Sequence, residues 1–133
     1  MNDQDLPTVD VREASRRLQA SPQDPDAGPA PLLVDVREVD EFAALRVPGA
    51  VLLPISRFGA AYRRLPTDRP LLMLCRSGGR SGMATDFLLR AGYPEVHNIA
   101  GGILAWHHAG LPTHSGPAAP GEGDLPATGP AEA

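Results

Sequence analysis

Short, uninterrupted apolar runs alternate with segments of helical periodicity through the middle of the chain. Leu32-Leu33-Val34 and Leu71-Leu72-Met73-Leu74 carry no polar position, the pattern of strands buried on both faces of a parallel sheet. Val51-Leu52-Leu53 and Val96-His97-Asn98-Ile99 are two further strand candidates. Between them, residues 39–45, 57–65, 81–91 and 102–109 read as helices. The alternation predicts an α/β fold, with an open, mainly parallel central sheet and right-handed crossovers that put helices on both faces.

Helix ends and breaks divide the rest. Asp10 can cap a short leading helix while Glu13 reaches back to it, and Val11, Ala14 and Leu18 recur on one face. Met83, Ala84, Phe87, Leu88 and Ala91 form the apolar stripe of the best defined helix, which Gly92 and Pro94 stop. Residues 21–31 hold four prolines, which lack amide donors and restrict their neighbours, so a surface loop is expected there. From Ser115 onward Gly, Pro, Ala and acidic residues dominate, leaving too little apolar surface to offset the entropy of ordering. The expected organisation is a lead over residues 1–8, one domain over 9–113 and a disordered tail over 114–133.

Composition adds constraints. At 133 residues and 42% hydrophobic content the chain suffices for one core. No run approaches the roughly 20 apolar residues of a membrane span, and the start Met1-Asn2-Asp3-Gln4-Asp5 is acidic where a secretory signal is basic, so a cytoplasmic protein without a membrane partner is expected. A net charge of -4, spread along the chain, gives no footprint for nucleic acid. All 12 basic residues are arginines, which makes any single arginine weaker evidence of anion recognition. The one cysteine, Cys75, excludes an intramolecular disulfide.

Cys75 is also the strongest chemical signal. It ends an apolar strand, and Arg76-Ser77-Gly78-Gly79-Arg80-Ser81 leads directly into a helix, placing the sulfur at the carboxyl edge of the sheet where open α/β folds bind ligands. Gly78 and Gly79 allow a turn tight enough for successive amides to converge, and the helix N-terminus adds partial positive charge. A thiol in such a cradle ionises more readily than a free one. Arg76 and Arg80 are placed to attract an anion and hold its oxygens. Ser77 and Ser81 can donate hydrogen bonds, although Ser81 serves equally well as the helix cap. The histidines do not group at ligand spacing, so neither metal nor cofactor is expected.

Leu33-Val34-Asp35-Val36-Arg37, Glu41-Phe42, Val47-Pro48-Gly49-Ala50, the loop from Cys75 to Ser81 and Gly101-Gly102-Ile103-Leu104-Ala105-Trp106 together resemble the rhodanese homology domain, in order and in spacing. The resemblance spans about Val9 to Pro112. It implies an open parallel sheet and a double-displacement reaction in which the loop cysteine takes sulfane sulfur and passes it on. It also implies that Asp35 and Arg37 lie beside the loop, where they either brace it or form a structural ion pair. Leu45-Arg46 departs from the Gly-His common in the family; with the arginine bias, Arg46 is expected as a solvated side chain. Trp106 is expected in the core.

Two other readings compete. A phosphatase or arsenate reductase shares this fold, but resemblance to the dual-specificity cell-cycle phosphatases requires five residues between cysteine and arginine; here four separate Cys75 from Arg80. Leu74 stands where those enzymes commonly have His, and the loop offers no Asp as a general acid. A non-catalytic binding module is disfavoured because the cysteine, both glycines and both arginines are present. The expectation is a rhodanese-type sulfurtransferase that loads Cys75 from a small anionic donor such as thiosulfate. Its acceptor must be an external thiol, cyanide or a sulfur-accepting protein, since no second cysteine is available within the chain.

Overall fold

The computed structural model describes residues 6–20, 26 and 28–126. Its strands are β1 (Thr8–Val9), β2 (Leu32–Asp35), β3 (Val51–Leu52), β4 (Leu71–Leu74) and β5 (Val96–Ile99), and its α-helices are α1 (Val11–Leu18), α2 (Val39–Ala44), α3 (Phe58–Ala61), α4 (Gly79–Arg90) and α5 (Gly102–His108). The strands form one parallel sheet in the order β1-β5-β4-β2-β3. β4 is central, and the chain lays its neighbours to one side before it and to the other after it. The crevice beyond its carboxyl end is therefore the topological switch point of the sheet.

The uninterrupted apolar runs have the cause that the pattern suggested, because both sheet faces are covered. Leu71 and Met73 of β4 join Leu32 and Val34 of β2 in a core closed by Phe58 of α3 and by Ala84 and Leu88 of α4. Leu72 and Leu74, pointing the opposite way, join Leu33 and Ile99 in a second core closed by Val11 and Ala14 of α1, Phe42 of α2, and Ile103 and Trp106 of α5. All four β4 side chains are fully buried, and each contributes about 1.5–3 kcal/mol by leaving water. Trp106 packs in the core as expected, its ring N–H donating to the Pro112 carbonyl at 2.9 Å.

Several boundaries depart from the sequence expectations. β1 was not foreseen: two residues are too few to show a period, and they hold their place by pairing with Asn98 and Ile99. Asp10 caps α1 through the Glu13 amide, but the Glu13 carboxylate turns to Arg16 and Arg17 instead of reaching back. The segment 57–65 is a short α-turn between two 3-10 turns, Ile55–Arg57 and Tyr62–Arg64. α4 begins two residues before Ser81 with Gly78 as its N-cap, so Ser81 is a residue of the first turn and not the cap. On the same helix Ala84 and Leu88 face the core, whereas Met83 and Phe87 remain largely exposed. Of the loop at 21–31, residues 21–25 and 27 lie outside the described residues, and no helix or strand occurs at 28–31.

The largest departure concerns the C-terminal segment, which is ordered to at least Leu125. His114 and Arg46 exchange backbone hydrogen bonds at 2.8 Å, the Gly123 carbonyl accepts from the Leu52 amide at 2.7 Å, and Leu125 packs on the core. Arg46 is buried, not solvated. Its guanidinium donates to the Gly116 carbonyl at 2.5 Å and pairs with Glu122, whose carboxyl it holds below the usual range. The segment gains its order from this one arginine and from the open edge of β3, neither of which its own composition reveals. Residues 127–133 lie outside the described residues.

Candidate functional site

Cys75 follows β4 directly and is almost completely buried. The chain beyond it wraps back so that the Gly78 amide donates to Sγ at 3.0 Å, while the Ser81 hydroxyl lies 3.2 Å from the same sulfur. Burial pushes the thiol up, but the Ser81 hydroxyl and the amides of Ser81, Gly78 and Ser77 outweigh it and leave Cys75 below an ordinary cysteine. The cradle is thus built to stabilise negative charge on sulfur.

The two loop glycines differ in function. Gly78 has φ +112°, a conformation that L side chains rarely adopt, which turns the chain from the residue whose amide meets the sulfur into α4. Gly79 is the first residue of α4 with open space where a Cβ would stand, so the turn does not depend on it.

Gly101-Gly102 explains why the loop carbonyls point away from the cradle. The Ile103 amide donates to the Cys75 carbonyl at 2.9 Å and the Leu104 amide to the Arg76 carbonyl at 3.1 Å, so the free N–H groups at the start of α5 are satisfied by the loop itself. This approach needs Gly102, since a Cβ there would overlap the carbonyl oxygens of both Cys75 and Arg76.

Of the two loop arginines, Arg76 is exposed at the rim. Arg80 is not free to face an anion alone: its two terminal nitrogens donate to the Glu41 carboxylate at 2.7 and 2.9 Å. Hydrogen bonding to Arg80 lowers Glu41 to about 2, and Glu41 in turn raises Arg80. Ser77 is exposed beside Arg76. Asp35 and Arg37 form a buried pair at the end of β2, with Arg37 donating further to the Leu45 carbonyl at 2.7 Å and the Glu41 carbonyl at 3.3 Å. The pair ties the end of β2 to α2. It thereby sets the position of Glu41, and through it that of Arg80.

Two groups escaped the sequence reading. Glu41 was visible only as part of a motif, because its partner lies 39 residues away. Asn98 follows another polar residue, His97, in the middle of β5 and looks like an ordinary interruption, yet its side chain accepts from the Ser81 hydroxyl at 2.6 Å and donates to the Gly78 carbonyl at 3.1 Å. An amide on a buried strand beside a glycine loop is the only signal that would have found it. Among the described residues, no group of three or more His, Cys, Asp or Glu side chains could hold a metal ion, and no helix is long and apolar enough to cross a membrane.

Comparison with known proteins agrees with this fold. The profile of the family described as Rhodanese-like domain matches residues 16–109. A protein of Allochromatium vinosum named sulfurtransferase is 42% identical over 81 residues, 61% of this chain and 76% of that protein. An uncharacterized protein of Synechocystis is 39% identical over 84 residues, which cover 63% of this chain and 47% of that protein. The fold is also that of a rhodanese-related protein from Thermoplasma volcanium, with a TM-score of 0.70 and 24% identity over 81% of this chain and 97% of that one.

Proposed function

The chain belongs to the rhodanese-like domain family, and from that premise we propose that it is a sulfurtransferase carrying sulfane sulfur as a Cys75 persulfide. The observation that carries the reading is the convergence of the Gly78 amide and the Ser81 hydroxyl on one buried sulfur at the switch point of the sheet. The name of the Allochromatium relative supports it.

The Cys75 thiolate attacks the outer sulfur of an anionic donor such as thiosulfate. A bond from Sγ to that sulfur forms, the bond from it to the sulfite group breaks, and sulfite leaves with the electron pair. The product is a persulfide, with Sγ bonded on both sides and the negative charge on the terminal sulfur. An acceptor thiolate or cyanide then attacks the terminal sulfur, and Sγ departs as thiolate. Arg76 at the rim draws the donor in, Arg80 adds positive field, and the cradle of Ser77, Gly78 and Ser81 supports the charge that returns to Sγ. Asp35 and Arg37 brace this arrangement without touching substrate. With one cysteine in the chain, unloading requires an external acceptor, which in the reducing cytoplasm is a small thiol or a partner protein.

Incubation with thiosulfate is expected to add one sulfur to the protein by intact mass, and subsequent cyanide to release thiocyanate. Cys75→Ser is expected to do neither. A wild-type protein that neither gains mass nor yields thiocyanate overturns thiosulfate as the donor.

A further inference from the structure

The Ser81 hydroxyl has one proton and two partners. It lies 2.6 Å from the Asn98 side-chain oxygen and 3.2 Å from Cys75 Sγ. The orientation of the Asn98 amide is set by its other end, where the nitrogen donates to the Gly78 carbonyl; reversing it would bring two acceptor oxygens together at 3.1 Å. Two oxygens at 2.6 Å need a proton between them, so the Ser81 proton lies on the Asn98 side and the Cys75 thiol donates to Ser81 Oγ. When the thiol ionises, the hydroxyl must turn to the sulfur. Ser81 Oγ and Asn98 Oδ1 then face each other without a proton. Burial of both side chains prevents water from compensating.

We infer that Asn98 is a positioning residue that holds the Ser81 proton whenever Sγ is uncharged and yields it when Sγ is an anion. The inference rests on the reading of Cys75 as a sulfur carrier, and it adds a direction to that reading. In the persulfide, Sγ is bonded on both sides and the charge sits on the terminal sulfur, so the hydroxyl returns to Asn98. Asn98 thus opposes the bare thiolate and favours the loaded state. Its place is fixed from outside the loop. Its backbone N–H donates to the Pro7 carbonyl at 2.8 Å, and a Cβ on Gly82 would stand 3.3 Å from its side-chain nitrogen.

The charged groups facing the cradle are Arg80 with Glu41 from the α2 side, Asp35 with Arg37 from the end of β2, and Arg76 at the rim. None changes in the test. Asn98→Leu and Asn98→Ala remove the competing acceptor, so the pH midpoint of Cys75 alkylation is expected to fall and the alkylation rate at neutral pH to rise by about threefold to tenfold. A merely structural role would loosen the loop and move the midpoint the other way. In a Ser81→Ala background, the Asn98 substitutions are expected to leave the midpoint unmoved. In the unsubstituted protein, the NMR signal of the Asn98 side-chain carbonyl carbon is expected to titrate with the Cys75 midpoint, a readout that survives if neither variant folds. A midpoint that rises or stays fixed in a folded Asn98 variant, an equal fall without Ser81, or a flat Asn98 signal overturns the inference. Alkylation requires no sulfur transfer, so failure of the proposed function would not imitate these outcomes.

Discussion

Gly102→Ala places a methyl group where the loop and α5 meet, and its cost can be worked from geometry. The residue has φ +59°, which penalises an L side chain by about 1–2 kcal/mol. The new Cβ would lie 2.5 Å from the Cys75 carbonyl oxygen and also overlap that of Arg76. Relief requires α5 to withdraw by several tenths of an ångström, which weakens the Ile103 and Leu104 amide bonds to those carbonyls. Each contributes about 1 kcal/mol, so the total is about 3–4 kcal/mol, a large part of the stability of a small domain. Two other glycines calibrate the figure. Gly78→Ala meets nothing closer than 3.5 Å and should cost only its backbone strain, about 2 kcal/mol. Gly79→Ala has open space and an ordinary backbone, and should raise stability by about 0.4–1 kcal/mol. Urea unfolding followed by circular dichroism reads all three as midpoint shifts. A Gly102→Ala protein no less stable than Gly78→Ala would refute the claim that α5 must approach the loop carbonyls this closely.

Two further outcomes follow from the side-chain contacts. Glu41 is held at about 2 by Arg80, below its ordinary 4.5, so its stabilising contribution is fully present above about pH 4.5 and is lost as pH falls toward 2. Glu41→Gln is therefore expected to cost about 1–2 kcal/mol near pH 6, allowing for partial exposure of the pair, and little near pH 2; equal urea midpoint shifts at the two pH values would contradict this. Arg46→Met is expected to release the segment around Glu122, so that the amides of Leu52 and His114, which donate to Gly123 and Arg46, exchange hydrogen at least tenfold faster while those of β4 change little. Unchanged protection at Leu52 would show that Arg46 does not hold that segment.

The apolar runs at Leu32, Val51 and Leu71 carried most of the sheet, because a strand covered on both faces needs no polar side and its composition records this. The loop of Cys75 was legible for a similar reason: strand, cysteine, glycines and helix follow one another along the chain, so local sequence contains the whole turn. Elements shorter than a period were not legible. Thr8–Val9 is a strand only because β5 offers it an edge. Arg46 reads as one arginine among many until Glu122 and Gly116 close around it.

What the sequence determined by itself is the order of the strands after β1 and of the helices between them, the position of the one cysteine at the end of an apolar strand, and the glycine turn that follows it. These depend on neighbours within a few residues. Tertiary structure alone decided which groups complete the cradle: Asn98 reaches Ser81 and Gly78 from β5, Glu41 clamps Arg80 from α2, and α5 ties down the loop carbonyls. Each is a hydrogen bond between segments distant in sequence. Its geometry exists only after the sheet has brought their ends together.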